Sequence, residues 1–267
     1  MLTRILFFAD VSSFSERGLA WAARKIAGDR TDFLVLHVVD QSAGLDAPEL
    51  VREAEGYLEE MCARTLPPES YYKTLVLLGD MLESLPETLR SEKCTFAVLP
   101  VPEGQDGMPV VRATPVPQII LREEEGFFPD GDTFGTLAVA LDLEPARTNL
   151  MLDNLRDFLS QTGKNPRITL LHSVAPQSAE DAPEVLNAAM QALEEVRDEI
   201  ISWGYEAVAE IVSGDAPTEL CAKIGELAPS LLVIGLPATG ELGQLVFGST
   251  AEILFACTTC PLLVFPL

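Results

Sequence analysis

The sequence predicts an α/β protein made of two tandem, doubly wound sheets, each of five parallel strands flanked by helices. Three observations lead there. Short, largely apolar runs such as Arg4–Phe8 and Ser230–Ile234 read as strands buried on both faces. Between them lie longer stretches whose apolar residues recur at steps of three and four, the period of a helix packed on one side. The same marks then return at one fixed offset, which signals an internal duplication.

In the first half, the strand Arg4–Phe8 ends at Asp10, and Ser13 or Ser15 is placed to cap a helix from Glu16 to about Ala27. A strand follows from Asp32 to Val39, containing Leu36-His37-Val38. The helix from Ala47 to Arg64 carries Leu50, Ala54, Tyr57 and Met61 on one face. Lys73–Leu78 reads as a strand running into Gly79-Asp80. The next helix ends near Ser91; Pro86 suits its first turn, after a Ser84 cap that Glu87 completes as a capping box. Cys94–Leu99 is the fourth strand. This alternation is the rhythm of a doubly wound parallel sheet.

The second half repeats it. Leu137–Asp142 matches the first strand with its terminal aspartate, and Ile168–Val174 contains Leu171-His172-Ser173. A long helix from about Pro183 to Trp203 carries Leu186, Ala189, Leu193, Val196, Ile200 and Trp203 on its apolar face. His37 to His172, Gly79 to Gly214 and Pro100 to Gly235 are each separated by 135 residues (172 − 37, 214 − 79, 235 − 100). Glu123–Asp132, acidic and glycine-containing, is the expected joint between a domain at 1–124 and one at 133–267. Pro117 to Pro261 is an offset of 144, so the first copy is nine residues shorter (144 − 135) before its last strand. Pro100–Pro109 fills that gap with turn glycines, no Gly-Ser pair and little room for a helix.

In the second copy the same place holds Gly235 to Thr250, between the strand Ser230–Ile234 and a helix at Ala251–Ala256. A strand, a glycine-rich loop and a helix aim backbone N–H groups at a phosphate. The loop is neither a Walker A motif, which needs Gly-Lys-Ser/Thr, nor GxGxxG. It carries no Lys or Arg, and Glu241 adds negative charge.

Composition narrows the function. With 48% apolar and 22% charged residues, the chain folds rather than staying disordered. Its net charge of −23 opposes binding to nucleic acid or to an anionic membrane surface. Apolar runs such as Phe33–Val39 are too short to span a bilayer, and Met1 leads into the first strand without a signal-peptide layout, so the cytoplasm is the expected compartment. Five cysteines, an odd number, do not suggest a secreted disulfide framework. Cys257 and Cys260 form a CxxC pair at the end of a helix rather than at its start, with no second pair or nearby His, so they are expected to be structural. His37 and His172, inside apolar strands, are expected to be buried and satisfied, and no catalytic set can be assembled from the sequence.

Gly235, Gly248-Ser249 and, between them, Ala238 and Gly243 resemble the loop of the universal stress protein family, which has Gly, two residues, Gly, nine residues and Gly-Ser/Thr; Ala238 stands at the second glycine. Together with Ala9-Asp10 and Leu141-Asp142, the two Leu-His strands and the two Gly-Asp pairs, the chain resembles a tandem member of that family almost throughout. The resemblance implies a Rossmann-like fold in each half and an adenine nucleotide, ATP with Mg²⁺ ahead of ADP or AMP. It assigns Asp142 to the adenosine, Ala140 and Leu141 to the wall beside it, and Ser173 and Val174 to the base. Gly235, Ala238, Gly248, Ser249 and Thr250 would hold the phosphates. The implied role is regulatory rather than catalytic in a cytoplasmic stress response. The first copy, without the loop, would be degenerate. Two other readings compete: a nucleotide-free module for an unidentified protein partner, and a slow ATPase.

Each copy ends in a short apolar strand, Gln118–Leu121 and Leu262–Phe265, through which members of the family pair. An unpaired apolar edge invites association, and the joint is long enough to bring the two together at ~3.3 Å per residue. The expectation is an intrachain pseudo-dimer with antiparallel contact between these strands, with homodimer formation left open. In a cysteine-depleted variant carrying one new cysteine in each last strand, crosslinking should occur within a chain; efficient crosslinking only between chains would refute the arrangement.

Overall fold

The computed structural model describes residues 2–28, 31–40, 47–123, 134–175, 182–239, 244–246 and 248–267. The expected joint lies outside the described residues from 124 to 132. The chain forms two compact units: Met1–Phe128 with Ala238–Val246 and Pro266, and Pro129–Pro237 with Phe247–Phe265 and Leu267. Both are α/β.

The first unit contains β1 (Arg4–Phe8), α1 (Ser13–Lys25), β2 (Asp32–Asp40), α2 (Ala47–Thr65), β3 (Tyr72–Gly79), α3 (Met81–Ser91), β4 (Phe96–Val101), α4 (Met108–Ala113) and β5 (Gln118–Arg122). Its strand order is β3-β2-β1-β4-β5, with every pairing parallel. The order reverses beside β1, and at such a switch point two loops diverge to leave a crevice at the carboxyl ends of the strands. Ile5, Leu6 and Phe7 of β1 and Phe96, Ala97 and Val98 of β4 are fully buried, which is why these strands are apolar without alternation.

The second unit contains β6 (Thr136–Ala140), α5 (Pro145–Thr162), β7 (Arg167–Val174), α6 (Ala182–Ser202), β8 (Glu206–Ser213), α7 (Ala216–Leu227) and β9 (Leu231–Leu236). An antiparallel ribbon of β10 (Ala238–Thr239) and β11 (Gln244–Leu245) follows, then α8 (Ser249–Cys257) and β12 (Leu262–Pro266). The sheet order is β8-β7-β6-β9-β12, with β6, β7, β8 and β9 parallel. It repeats the first unit strand for strand. The switch point now lies between β6 and β9, so the crevice opens where Asp142 follows β6 and Gly235 nears the end of β9. Phe134 and Phe158 meet edge to face, 5.8 Å between centroids, and pack α5 onto β6.

The structure corrects several local expectations. Helix α1 is capped by Ser12, whose hydroxyl accepts from the Ser15 N–H, rather than by Ser13 or Ser15. Helix α3 starts at Met81, and Pro86 sits in its interior. Asp80 takes the capping role expected of Ser84, because its carboxylate accepts from both Leu82 N (2.8 Å) and Glu83 N (3.1 Å). Asp215 caps α7 in the same way, through Thr218 N, so the repeated Gly-Asp pair is a helix start in both copies. At Gly214, φ is +140°, a conformation that favours glycine. Pro100–Pro109, expected to have little room for a helix, holds only the first two residues of the six-residue α4, which runs on to Ala113. Among the described residues, no helix is long and apolar enough to cross a membrane.

Asp80→Ala should cost about 1 kcal/mol in urea unfolding, while Ser84→Ala should stay within about 0.5 kcal/mol of the parent; equal losses would contradict the Asp80 cap.

Candidate functional site

The site begins where β6 stops. Leu141 N still donates to Leu171 O (2.9 Å), extending the pairing with β7 by one residue. The Leu141 carbonyl then accepts from His172 Nδ1 at 2.8 Å, which places the proton on Nδ1. Leu143 has φ +59°, the left-handed region, and turns the chain out of the sheet. Glu144 caps α5 by accepting from Ala146 N and Arg147 N, with Pro145 in the first turn. These N–H bonds, Arg147 first, hold its carboxyl below the usual carboxylate range.

Asp142 is therefore poised between strand and helix. Its Oδ1 accepts from Glu144 N at 3.0 Å, and its Oδ2 accepts from Arg147 Nε at 2.7 Å. The guanidinium is thus oriented through Nε, close to the N-terminus of α5, where the helix dipole also favours an anion. A cavity of about 250 Å³ opens beside this pair.

Six of the residues named from the sequence line that one cavity: Ala140, Leu141, Asp142, Ser173, Gly235 and Thr250. Of the other four, Val174, Ala238 and Gly248 are not among the described residues that line it. Val174 is buried on its own strand. Ala238 belongs to β10 and to the first compact unit rather than to the unit holding the cavity. Gly248 is the exposed N-cap of α8, with no side-chain cap bond, and a Cβ added there meets nothing within 4 Å. Ser249 is the first residue of α8, and its side chain lies outside what is described, as do Glu241 and Gly243. At Gly235 the close approach is real: a Cβ would clash with Leu267 Cδ1 and stand 3.4 Å from Met151 Sδ. That glycine lets Leu267 and α5 close over the end of β9.

Sequence reasoning missed the contribution of α5. Arg147, Thr148 and Met151 all line the cavity, as do Ala216 and Leu220 of α7. A signal was present: Arg147 follows Asp142 by five residues, on the first turn of a helix that Pro145 marks. The glycine loop itself offers no such cation. His172 also lines the cavity and is half-buried rather than buried, which corrects that expectation. His37 is half-buried too.

Two hydroxyls give the cavity a polar demand. Thr148 is only 7% exposed, and among the described residues neither its Oγ1 nor Ser173 Oγ has a hydrogen-bond partner. Buried polar groups are normally paired, so orphans on a cavity wall mark a place where a ligand or water completes the set.

The first unit keeps the turn but not this chemistry. His37 Nδ1 donates to Ala9 O at 2.7 Å, and Val11 repeats the left-handed φ at +62°. Asp10, however, is drawn into its own turn: its Oδ1 accepts from the hydroxyls of Ser12 and Ser15 and from Ser12 N. Ser15 stands 132 residues before Arg147, the spacing that also relates Asp10 to Asp142 (147 − 15 and 142 − 10), so a serine replaces the cation. Pro100 stands in place of Gly235.

A family model described as the universal stress protein family matches residues 133–266, half of the chain. The chain belongs to the universal stress protein family. Among solved structures, a universal stress protein from Archaeoglobus fulgidus DSM 4304 superposes with a TM-score of 0.75 at 19% identity, over 98% of this chain and 96% of that one. A functionally unknown protein from Pseudomonas aeruginosa PAO1 does so with a TM-score of 0.64 at 15% identity, over 99% and 92%. At these identities the likeness is one of fold, and it extends the universal stress protein architecture over both halves. No curated protein matches the chain in sequence.

In this universal stress protein, Thr148→Val replaces an orphan hydroxyl by a methyl of nearly the same shape. The ligand-free variant should be more stable by about 1 kcal/mol, the desolvation cost of an unpaired buried hydroxyl; a destabilised variant in thermal unfolding would mean that Thr148 Oγ1 is already satisfied.

Proposed function

We propose that this universal stress protein binds an adenine nucleotide in its C-terminal domain, residues 133–267, with ATP as the ligand and a regulatory rather than catalytic role in a cytoplasmic stress response. The observation that carries the reading is the pair of unpartnered hydroxyls, Thr148 Oγ1 and Ser173 Oγ, in a cavity that also gathers Asp142, Arg147, Gly235 and Thr250. At about 250 Å³ the cavity suits the nucleoside portion. The hydroxyls and Asp142 offer both donors and acceptors, as a ribose and a purine require, and Ile234 and Leu254 supply an apolar wall.

The phosphates need positive potential in a protein of net charge −23. Arg147 and the N-terminal turns of α5 and α8 supply it locally. A guanidinium oriented by a carboxylate is well suited to a phosphate oxygen. Among the described residues, no group of three or more His, Cys, Asp or Glu could hold a metal, so Mg²⁺ would enter on the phosphates of the nucleotide. The N-terminal domain, residues 1–124, is then a degenerate copy, because Ser15 and Pro100 stand where the cation and the close-approach glycine are needed.

Calorimetric titration with ATP, ADP, AMP and adenosine, with and without Mg²⁺, tests the reading. Saturable binding of the nucleotides is expected. Arg147→Ala should weaken them about tenfold or more, the scale of one hydrogen bond to a charged group, and change adenosine affinity less than about twofold. Absence of heat with any of the four at millimolar concentration, from folded protein, would overturn the reading in favour of a nucleotide-free interaction module.

A further inference from the structure

Cys257 is not paired with Cys260, its neighbour in the CxxC, but with Cys221: a disulfide joins α7 to α8 across 36 residues of sequence. The bridge is compatible with the structural role expected of Cys257, but its partner lies outside the CxxC pair. Both helices are walls of the candidate site. Helix α7 contributes Ala216 and Leu220, the residue beside Cys221, and α8 contributes Thr250, Ala251 and Leu254. The covalent ring closed by the bridge includes β9 with Gly235, the ribbon and most of α8.

Helix α8 is a short element. It has nine residues, fewer than an isolated helix needs to persist in water. Its N-cap is Gly248, without a side-chain hydrogen bond. Leu254 and Phe255 anchor it by burial, while Ala256 and Cys257 are exposed. The bridge is therefore reachable from solvent at Cys257. The two cysteines of the first unit are chemically quiet by contrast: burial pushes the thiol of Cys62 up to about 12 and that of Cys94 up to about 11.

We propose that Cys221–Cys257 is a redox-modification site that clamps α8 against α7 when closed, and that its opening by a dithiol reductant loosens the cavity wall and weakens the ligand. One thiolate of the dithiol attacks the Sγ of Cys257; the S–S bond breaks, and Cys221 leaves as a thiolate and takes a proton. The second thiol then attacks the mixed disulfide and releases Cys257 as a thiol. Two electrons and two protons pass to the protein, and the dithiol becomes a disulfide. A disulfide of the glutathione type, as two-electron oxidant, reverses the reaction. In a thiol-rich compartment such bridges are usually transient rather than structural.

The ligand half of this inference rests on the nucleotide reading; the clamp itself does not. The full chain is compared in its oxidised form, in a dithiol-reduced form and as the Cys221→Ser, Cys257→Ser double variant, with Cys260→Ser as a control that keeps the bridge. Amide hydrogen exchange of residues 249–257 should be at least about fivefold faster in the reduced form and in the double variant, and ATP affinity should be about tenfold lower. Cys260→Ser should behave as the oxidised parent. Equal exchange of this segment in the oxidised and reduced forms would overturn the clamp, whatever the nucleotide does. Faster exchange with unchanged ATP affinity would overturn the coupling to the site. Faster exchange with no nucleotide bound in any form would support the clamp and remove the nucleotide reading instead.

Discussion

The hydrogen bond from His172 Nδ1 to the carbonyl of Leu141 decides where β6 stops, and the site is arranged around that stop. A strand carbonyl that has run out of ladder partners would lose about 1–3 kcal/mol if buried unpaired. The imidazole from the adjacent strand satisfies it from the side and leaves the chain free to turn. The turn requires Leu143 in a left-handed conformation, a cost of about 1–2 kcal/mol for a residue with a side chain. That cost is tolerated because the same turn lets Glu144 cap α5 and brings Asp142 and Arg147 together. The first unit uses the same device, with His37 bonded to Ala9 O and Val11 left-handed. Two copies sharing so uncommon a backbone conformation show that the turn is part of the fold rather than of one ligand site.

What differs between the copies is what the turn presents. In the first unit Ser12 and Ser15 close on Asp10, and the carboxylate is spent within its own loop. In the second, Arg147 holds Asp142 from the helix, so carboxylate and guanidinium face the cavity as a pair. Removing bulk at Gly235 where the first copy has Pro100 lets Leu267 and Met151 close over the end of β9. One backbone plan thus supports two local chemistries. The acidity of the whole chain matters less to the site than these few groups, since solvent-exposed charges more than about 10 Å away are largely screened.

The bridge between Cys221 and Cys257 belongs to the same set of constraints. Helix α8 is short, and it both ends the glycine-rich segment and walls the cavity. Its attachment to α7 therefore bears on the geometry of Thr250 and Leu254 more than on the stability of the unit, whose core lies in the sheet. Leu231, Leu232 and Val233 of β9 and Leu263, Val264 and Phe265 of β12 form that buried core.

The sequence by itself determined the alternation of strands and helices, the duplication and the identity of much of the cavity wall. The reason is that these properties are local or periodic. Buried strands must be apolar throughout, and a turn at a strand end leaves its mark in Asp142, His172 and Gly235. Only the tertiary structure decided the rest. That Asp80 rather than Ser84 starts α3 depends on which carboxylate or hydroxyl meets two backbone N–H groups at once, and Pro86 favours an answer that the geometry rejects. That Arg147 is the cation of the site depends on a side chain folding back five residues onto Asp142. That Thr148 Oγ1 lacks a partner depends on every neighbour it does not reach. And that Cys257 joins Cys221 rather than Cys260 depends on the packing of α7 beside α8, a contact between residues 36 apart that no periodicity in the chain encodes.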